Sequence, residues 1–176
     1  WIVLVIKKTV GILDFKTNNI ASVFNCLSKI ENLNIKIINN INDLKNLNHL
    51  IIPGVGSFGT GIDNLNSKNF LEEILFFSKS KNNFILGICL GAQLLFERSE
   101  EDLKVSYGLG IFKGECKAIA SNDENIKIPH MGWNKVNIIK DVRILANIKN
   151  NFYAYFVHQY YISPSTKKCI LGETLH

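Results

Sequence analysis

The chain has 176 residues, 47% of them hydrophobic and 20% charged, which is enough for one domain with a real core. Its formal net charge of +5 comes from lysines scattered among asparagines and isoleucines. There is no basic block and no aromatic–basic interleaving, so the charge argues against nucleic acid as a partner. The four cysteines, Cys26, Cys89, Cys116 and Cys169, form no CxxC pair, which argues against a zinc site or a redox dithiol and fits a reducing, cytoplasmic setting.

At the amino end, "WIVLVI" is apolar but too short to span a bilayer, and no small-residue cleavage site follows it. No membrane segment or targeting signal is expected from it, and residues 1–8 have no evident role. The other end, "GETLH", stops without a closing element. Residues 9–176 are therefore expected to form one domain, incomplete at its carboxyl end.

In between, strands and helices alternate. "TVGILDF" (9–15) is a short buried strand. In "NNIASVFNCLSKI" (18–30), apolar residues at 20, 23, 24, 27 and 30 predict a helix. "NIKIIN" (34–39) is a strand, "INDLKNL" (41–47) a short helix or turn, and "HLIIPGVGSFG" (49–59) a strand running into a glycine-rich turn. "NFLEEILFFSKS" (69–80) is a helix, "NFILGI" (83–88) a strand, and "LGAQLLFERS" (90–99) the next helix. This order predicts an α/β fold: a mostly parallel, doubly wound sheet with helices on both faces. After residue 107, "GLGIFKGECKAIA", "KIPHMGWNKVNII", "NFYAYFVHQYYIS" and "KCILGE" predict further strands, some antiparallel, added to one side.

Gly87-Ile88-Cys89-Leu90-Gly91 falls where a buried strand gives way to a helix. This is the G-x-nucleophile-x-G pattern of a nucleophile elbow, a turn so tight that glycines must flank the reactive residue. A lone cysteine is more often a small buried hydrophobe, but the two glycines at this joint favour a nucleophile. At a helix N-terminus its thiolate would be stabilised. An attack on a carbonyl needs donors for the developing oxyanion. The Leu90 N–H supplies one. The glycine-rich "PGVGSFG" (53–59) can turn further amides inward, and it lacks the Lys-Ser/Thr of a phosphate-binding P-loop.

Together "GICLGAQLLFE", "PGVGSFG", "GLGIFKGE", "IPHMGWN" and "YFVHQYY" resemble, in order and spacing, the class I (triad-type) glutamine amidotransferases. Within these they resemble the glutaminase subunits of imidazole glycerol phosphate synthase, from about Val10 to the last residues. The resemblance implies hydrolysis of L-glutamine to glutamate and ammonia through a thioester on Cys89, with no cofactor and no metal. It implies that Gly54, Val55 and Gly56 form the oxyanion segment, with Leu90 beside it. Gln93 would be a substrate-binding side chain, and His158, Gln159 and Tyr160 would hold the amino acid end of glutamine. The family usually has Ser where Gln159 stands. The partner implied is a (β/α)8-barrel synthase in a heterodimer, which takes the ammonia for histidine biosynthesis.

A lone tryptophan in an apolar stretch such as "PHMGWN" (129–134) would ordinarily be core. The resemblance instead puts His130, Met131, Trp133 and Asn134 at the face that meets the synthase. His158 is a tempting base for Cys89, but the family's catalytic His and Glu lie in a His-Pro-Glu segment, and these 176 residues contain none. The chain as given is therefore expected to be inactive. Two alternatives stand beside this reading: a paralogous subunit serving surface-polysaccharide sugar amination, and a synthase-binding module without glutaminase chemistry.

Overall fold

The computed structural model of the chain describes residues 8–16, 20–101, 106–121 and 126–176. Most of the expected amino-terminal extension, residues 1–7, lies outside these, as does the predicted start of the first helix at 18–19.

Four strands, β1 (Lys8–Leu13), β2 (Leu33–Ile38), β3 (His49–Gly54) and β4 (Phe84–Cys89), pair in parallel in the order β2-β1-β3-β4. The inner strands β1 and β3 carry unbroken apolar runs, and from Val10 and Leu50 onward they are buried on both sides, as a covered parallel sheet demands. Helix α1 (Ile20–Leu27) links β1 to β2, and a single 3-10 segment, Ile41–Asn46, links β2 to β3. The link from β3 to β4 holds α3 (Phe70–Ser78), which the apolar spacing predicts, and before it α2 (Phe58–Ser67), which it does not. Gly59, Gly61 and five polar residues mask α2 in the sequence. The reason for Gly61 is packing, since a Cβ there would sit 3.1 Å from Leu94 Cδ1. The core runs through Ile38, Ile52, Phe58, Leu65, Phe70, Ile74 and Leu94. No helix among the described residues is long and apolar enough to cross a membrane.

The helix predicted over 90–99 is a single turn, α4 (Leu90–Gln93), followed by turns and a two-residue strand, β5 (Arg98–Ser99). Tertiary hydrogen bonds end it. The carbonyls of Leu94, Leu95 and Phe96, which a longer helix would use, accept instead from the N–H groups of Leu109, Phe112 and Gly110. Propensity loses to the loop that folds back over it.

The carboxyl half is built of strands, as expected: β6 (Ser106–Tyr107), β7 (Gly114–Ala118), β8 (His130–Ile138), β9 (Phe152–His158), β10 (Tyr160–Pro164) and β11 (Gly172–Glu173). They do not extend the parallel sheet. They form two further sheets, ordered β10-β7-β5-β6 and β11-β8-β9. The chain crosses from one to the other at Gln159: His158 ends β9, paired with β8, while Tyr160 begins β10, paired with β7. That corner brings His158 and Tyr160 to the cleft where β4 ends.

One very tight approach lies at Gly91. A Cβ there would lie 1.7 Å from the Ile52 carbonyl oxygen of β3, so no side chain fits without moving the strand. We expect Gly91→Ala to cost about 3 kcal/mol or more, a fall of roughly 6–12 °C in Tm. A variant melting within about 2 °C of the parent would show that α4 does not pack on β3 in this way.

Candidate active site

Cys89 is the last residue of β4 and the residue before α4, and it adopts φ 52° and ψ −117°. A non-glycine residue there is strained by about 1–3 kcal/mol, a cost that persists only where surrounding packing enforces it. The packing is visible at both flanking glycines. A Cβ at Gly87 would lie 2.4 Å from Ala92 Cα, and the one at Gly91 would strike β3. The chain therefore folds back on itself at Cys89, and the side chain has only the open direction left to it. Cys89 is exposed and lines a cleft of about 1020 Å³ with Gln93, His158 and Tyr160. Because α4 is a single turn, it brings no long helix dipole to bear on Cys89.

The glycine-rich segment lies against this turn. Gly54 is directly opposite Cys89 in the β3–β4 register. A Cβ on Gly54 would lie 3.0 Å from Leu90 Cβ and 3.1 Å from the Gly91 nitrogen, so the backbones touch. Gly56 has φ 109°, open to glycine and hostile to other residues. Val55 between them is exposed. The segment ends at α2, whose first N–H, that of Phe58, donates to Glu101 Oε2 at 2.7 Å. Sequence reading missed Glu101. It is one carboxylate among three in "FERSEE", 43 residues from the helix it caps, and nothing local singles it out.

On the other wall, Gln93 Nε2 donates to the Tyr160 carbonyl at 3.1 Å. His158 Nδ1 is 3.1 Å from the same oxygen, which can only accept, so Nδ1 carries the proton. The neutral ring's lone pair is then on Nε2, and that atom faces His130 Nδ1 at 3.1 Å. Burial lowers the pKa of both imidazoles and favours their neutral forms. Both nitrogens of His158 are thus engaged away from Cys89. Gln159, at the corner, is exposed, and its carbonyl accepts from the Ile119 N–H.

The four residues of "PHMGWN" expected at a partner face divide by strand alternation. Met131 and Trp133 point outward, 62% and 68% exposed, opposite Val157 and Tyr155 of β9, with the Trp133 and Tyr155 rings edge to face at 5.7 Å. His130 and Asn134 point inward. His130 is only 2% exposed, stacked between Phe156 and His176, so it is no direct surface contact. Asn134 donates to His130 Nε2 and to the Leu175 carbonyl.

Cys116 is a contrast to Cys89. It is fully buried, and burial followed by the charges of Glu101 and Glu115 raises its thiol to about 12, against an ordinary value of 9.0. At neutral pH it holds about a thousandfold less thiolate than an unperturbed cysteine. Iodoacetamide labelling of the folded chain, read by peptide mapping, should modify Cys89 fastest and leave Cys116 unmodified. Labelling of Cys116 as fast as Cys89 would contradict the placement of both.

The family profile of glutamine amidotransferase class-I matches residues 11–174. The chain is 41% identical over 165 residues to imidazole glycerol phosphate synthase subunit HisH of Methanocaldococcus jannaschii, covering 94% of this chain and 79% of that one. It is 34% identical over 168 residues to the subunit of the same name from Pelagibacter ubique, covering 94% and 80%. A crystal structure of a glutamine amidotransferase superposes with a TM-score of 0.69 over 93% of this chain and 78% of the other, at 15% identity, which is a likeness of fold. Over nearly its whole described length, then, the chain belongs to the class-I glutamine amidotransferase family, among the HisH subunits of imidazole glycerol phosphate synthase.

Proposed function

We propose that this chain is the glutaminase subunit of an imidazole glycerol phosphate synthase. The reaction of such a subunit is cleavage of L-glutamine to glutamate and ammonia, with the ammonia passed to a (β/α)8-barrel synthase subunit in histidine biosynthesis, and this chain carries its nucleophile and glutamine pocket. The observation that carries the reading is Cys89 in its strained elbow, in register with Gly54. The Cys89 thiolate attacks the side-chain amide carbon of glutamine and a C–S bond forms. The oxyanion is met by the Leu90 N–H and by amides of Gly54, Val55 and Gly56. Protonation of the nitrogen breaks the C–N bond and releases ammonia, and water then cleaves the thioester to glutamate. Gln93 and the His158–Gln159–Tyr160 corner bind the amino acid end. Four free cysteines fit a reducing cytoplasm for this chemistry.

The step that releases ammonia needs an acid, and forming the thiolate needs a base. The 176 residues contain no His-Pro-Glu segment, and both nitrogens of His158 are committed to Tyr160 and His130. Loss of a triad member lowers turnover by several powers of ten. We therefore expect these 176 residues, even with the barrel subunit, to release no ammonia from glutamine above a Cys89→Ala control. Turnover that vanishes in His158→Ala would overturn this and make His158 the base.

The partner docks on the outer face of β8 and β9, where Met131, Trp133, Tyr155 and Val157 stand exposed side by side. Such aromatic anchors dominate interface energies. Trp133→Ala should weaken binding to the barrel subunit by about 2 kcal/mol or more. Thermal stability should hardly change, because the ring is open to solvent. Unchanged binding together with a large loss of stability would mean that Trp133 belongs to the core.

A further inference from the structure

We propose that His130 and Asn134 are positioning residues of the glutamine pocket, acting through His158 to fix the Tyr160 carbonyl opposite Gln93. The inference rests on the glutaminase reading of that pocket. Its basis is a chain of hydrogen bonds that has only one self-consistent direction.

The direction is set at both ends. Tyr160 O accepts only, so His158 Nδ1 donates to it at 3.1 Å. Neutral His158 then has its lone pair on Nε2, and His130 Nδ1, 3.1 Å away, must donate. Neutral His130 in turn has its lone pair on Nε2, where the Asn134 amide donates at 2.9 Å. Asn134 Nδ2 has a second hydrogen, and that goes to the Leu175 carbonyl at 2.8 Å. The Leu175 contact fixes which end of the Asn134 amide is nitrogen. Every donor meets an acceptor from Asn134 through His130 and His158 to Tyr160.

No other protonation state fits. A proton on His158 Nε2 would face the donor Nδ1 of His130. Moving the His130 proton to Nε2 would then face the Asn134 amide hydrogens. The chain holds both rings neutral, in agreement with the lowered pKa of each. His130 is held in place besides, between the Phe156 ring at 4.6 Å and the His176 ring at 4.1 Å.

The consequence lies at the far end. The Tyr160 oxygen takes one hydrogen bond from His158 and a second from Gln93 Nε2, which fills its two lone pairs. With its Nε2 turned to Tyr160, Gln93 is fixed in orientation and presents its Oε1 as the acceptor for an N–H group of the ligand, with one Nε2 hydrogen left over. The inward face of the strand whose outward face carries Trp133 thus sets the polarity of a pocket side chain one helical turn beyond Cys89.

Two measurements test this on the 176-residue chain. Nitrogen-15 imidazole spectra at pH 7.5 should show His130 and His158 both neutral and both protonated at Nδ1. His158 protonated at Nε2 overturns the proposal. The second measurement compares Cys89 labelling by a chloroketone analogue of L-glutamine with labelling by iodoacetamide. His130→Phe keeps a ring in the stack and removes both hydrogen bonds. It should lower the chloroketone preference by about tenfold while the iodoacetamide rate holds within about twofold. Asn134→Asp should accept a proton from His130 Nε2 instead, raise the His130 pKa above neutral and keep most of the preference, because the direction from His130 to Tyr160 survives. A folded His130→Phe chain with the parent's preference overturns the proposal. If the parent itself shows no chloroketone preference, the glutaminase reading fails, and the imidazole spectra still decide the relay.

Discussion

The geometry of the site depends on one close approach, that of the Gly91 backbone to the Ile52 carbonyl. The room left there is smaller than a methyl group, with 1.7 Å between a Cβ and that oxygen. Because α4 can come down onto β3, the chain reverses within a single residue, and that residue is Cys89. Its φ of 52° is the conformational cost of the reversal. The same contact lays Gly54 beside Leu90 and Gly91, so the segment that can supply amide donors and the turn that carries the sulfur are one packed unit. That unit is held from below by Phe58, Leu65, Leu90 and Leu94, all fully or almost fully buried. At its rim the Glu101 carboxylate ties the start of α2 to the strand region after α4.

The opposite wall is organised by polarity rather than by packing. The corner at Gln159 delivers His158 and Tyr160 to the cleft, but the backbone alone does not orient them. A run of neutral groups does so: Asn134, His130, His158, the Tyr160 carbonyl and Gln93. Buried polar groups are costly when unpaired and rigid when fully paired. Here the pairing joins three elements, β8, the β9–β10 corner and α4, that share no sheet with the parallel strands. The apolar outer face of β8 and its polar inner face follow from the same two-residue period, so the exposed Met131 and Trp133 and the wall of the cleft are opposite sides of one strand.

Much of this was legible from residue order. The parallel strands were marked by apolar runs such as "HLII" (49–52) and "FILG" (84–87), long enough for buried strands and bounded by glycine, proline or asparagine. The elbow was legible because two glycines at fixed spacing have few other uses. Helix α2 was hidden because its glycines and asparagines oppose helix formation and only tertiary packing on Leu94 accounts for Gly61. The helix after Cys89 was over-extended because apolar spacing cannot reveal that the loop at 108–112 takes its carbonyls. The separate sheets of the carboxyl half were not legible, since pairing partners far apart in the chain leave no local signal. The inward turn of His130 and Asn134 could have been read from strand alternation once Met131 and Trp133 were placed outside. Glu101 had no local signal at all.

The measurement that bears most directly on the role of Cys89 is substrate protection. The chain is treated with iodoacetamide in the presence of L-glutamine, L-asparagine or neither, and each cysteine is followed by peptide mapping. A glutamine pocket at the elbow predicts that L-glutamine slows modification of Cys89 in a saturable way, that L-asparagine does not, and that Cys26 and Cys169 react at the same rate throughout. Equal modification of Cys89 with and without saturating L-glutamine would contradict the assignment of this cleft to glutamine.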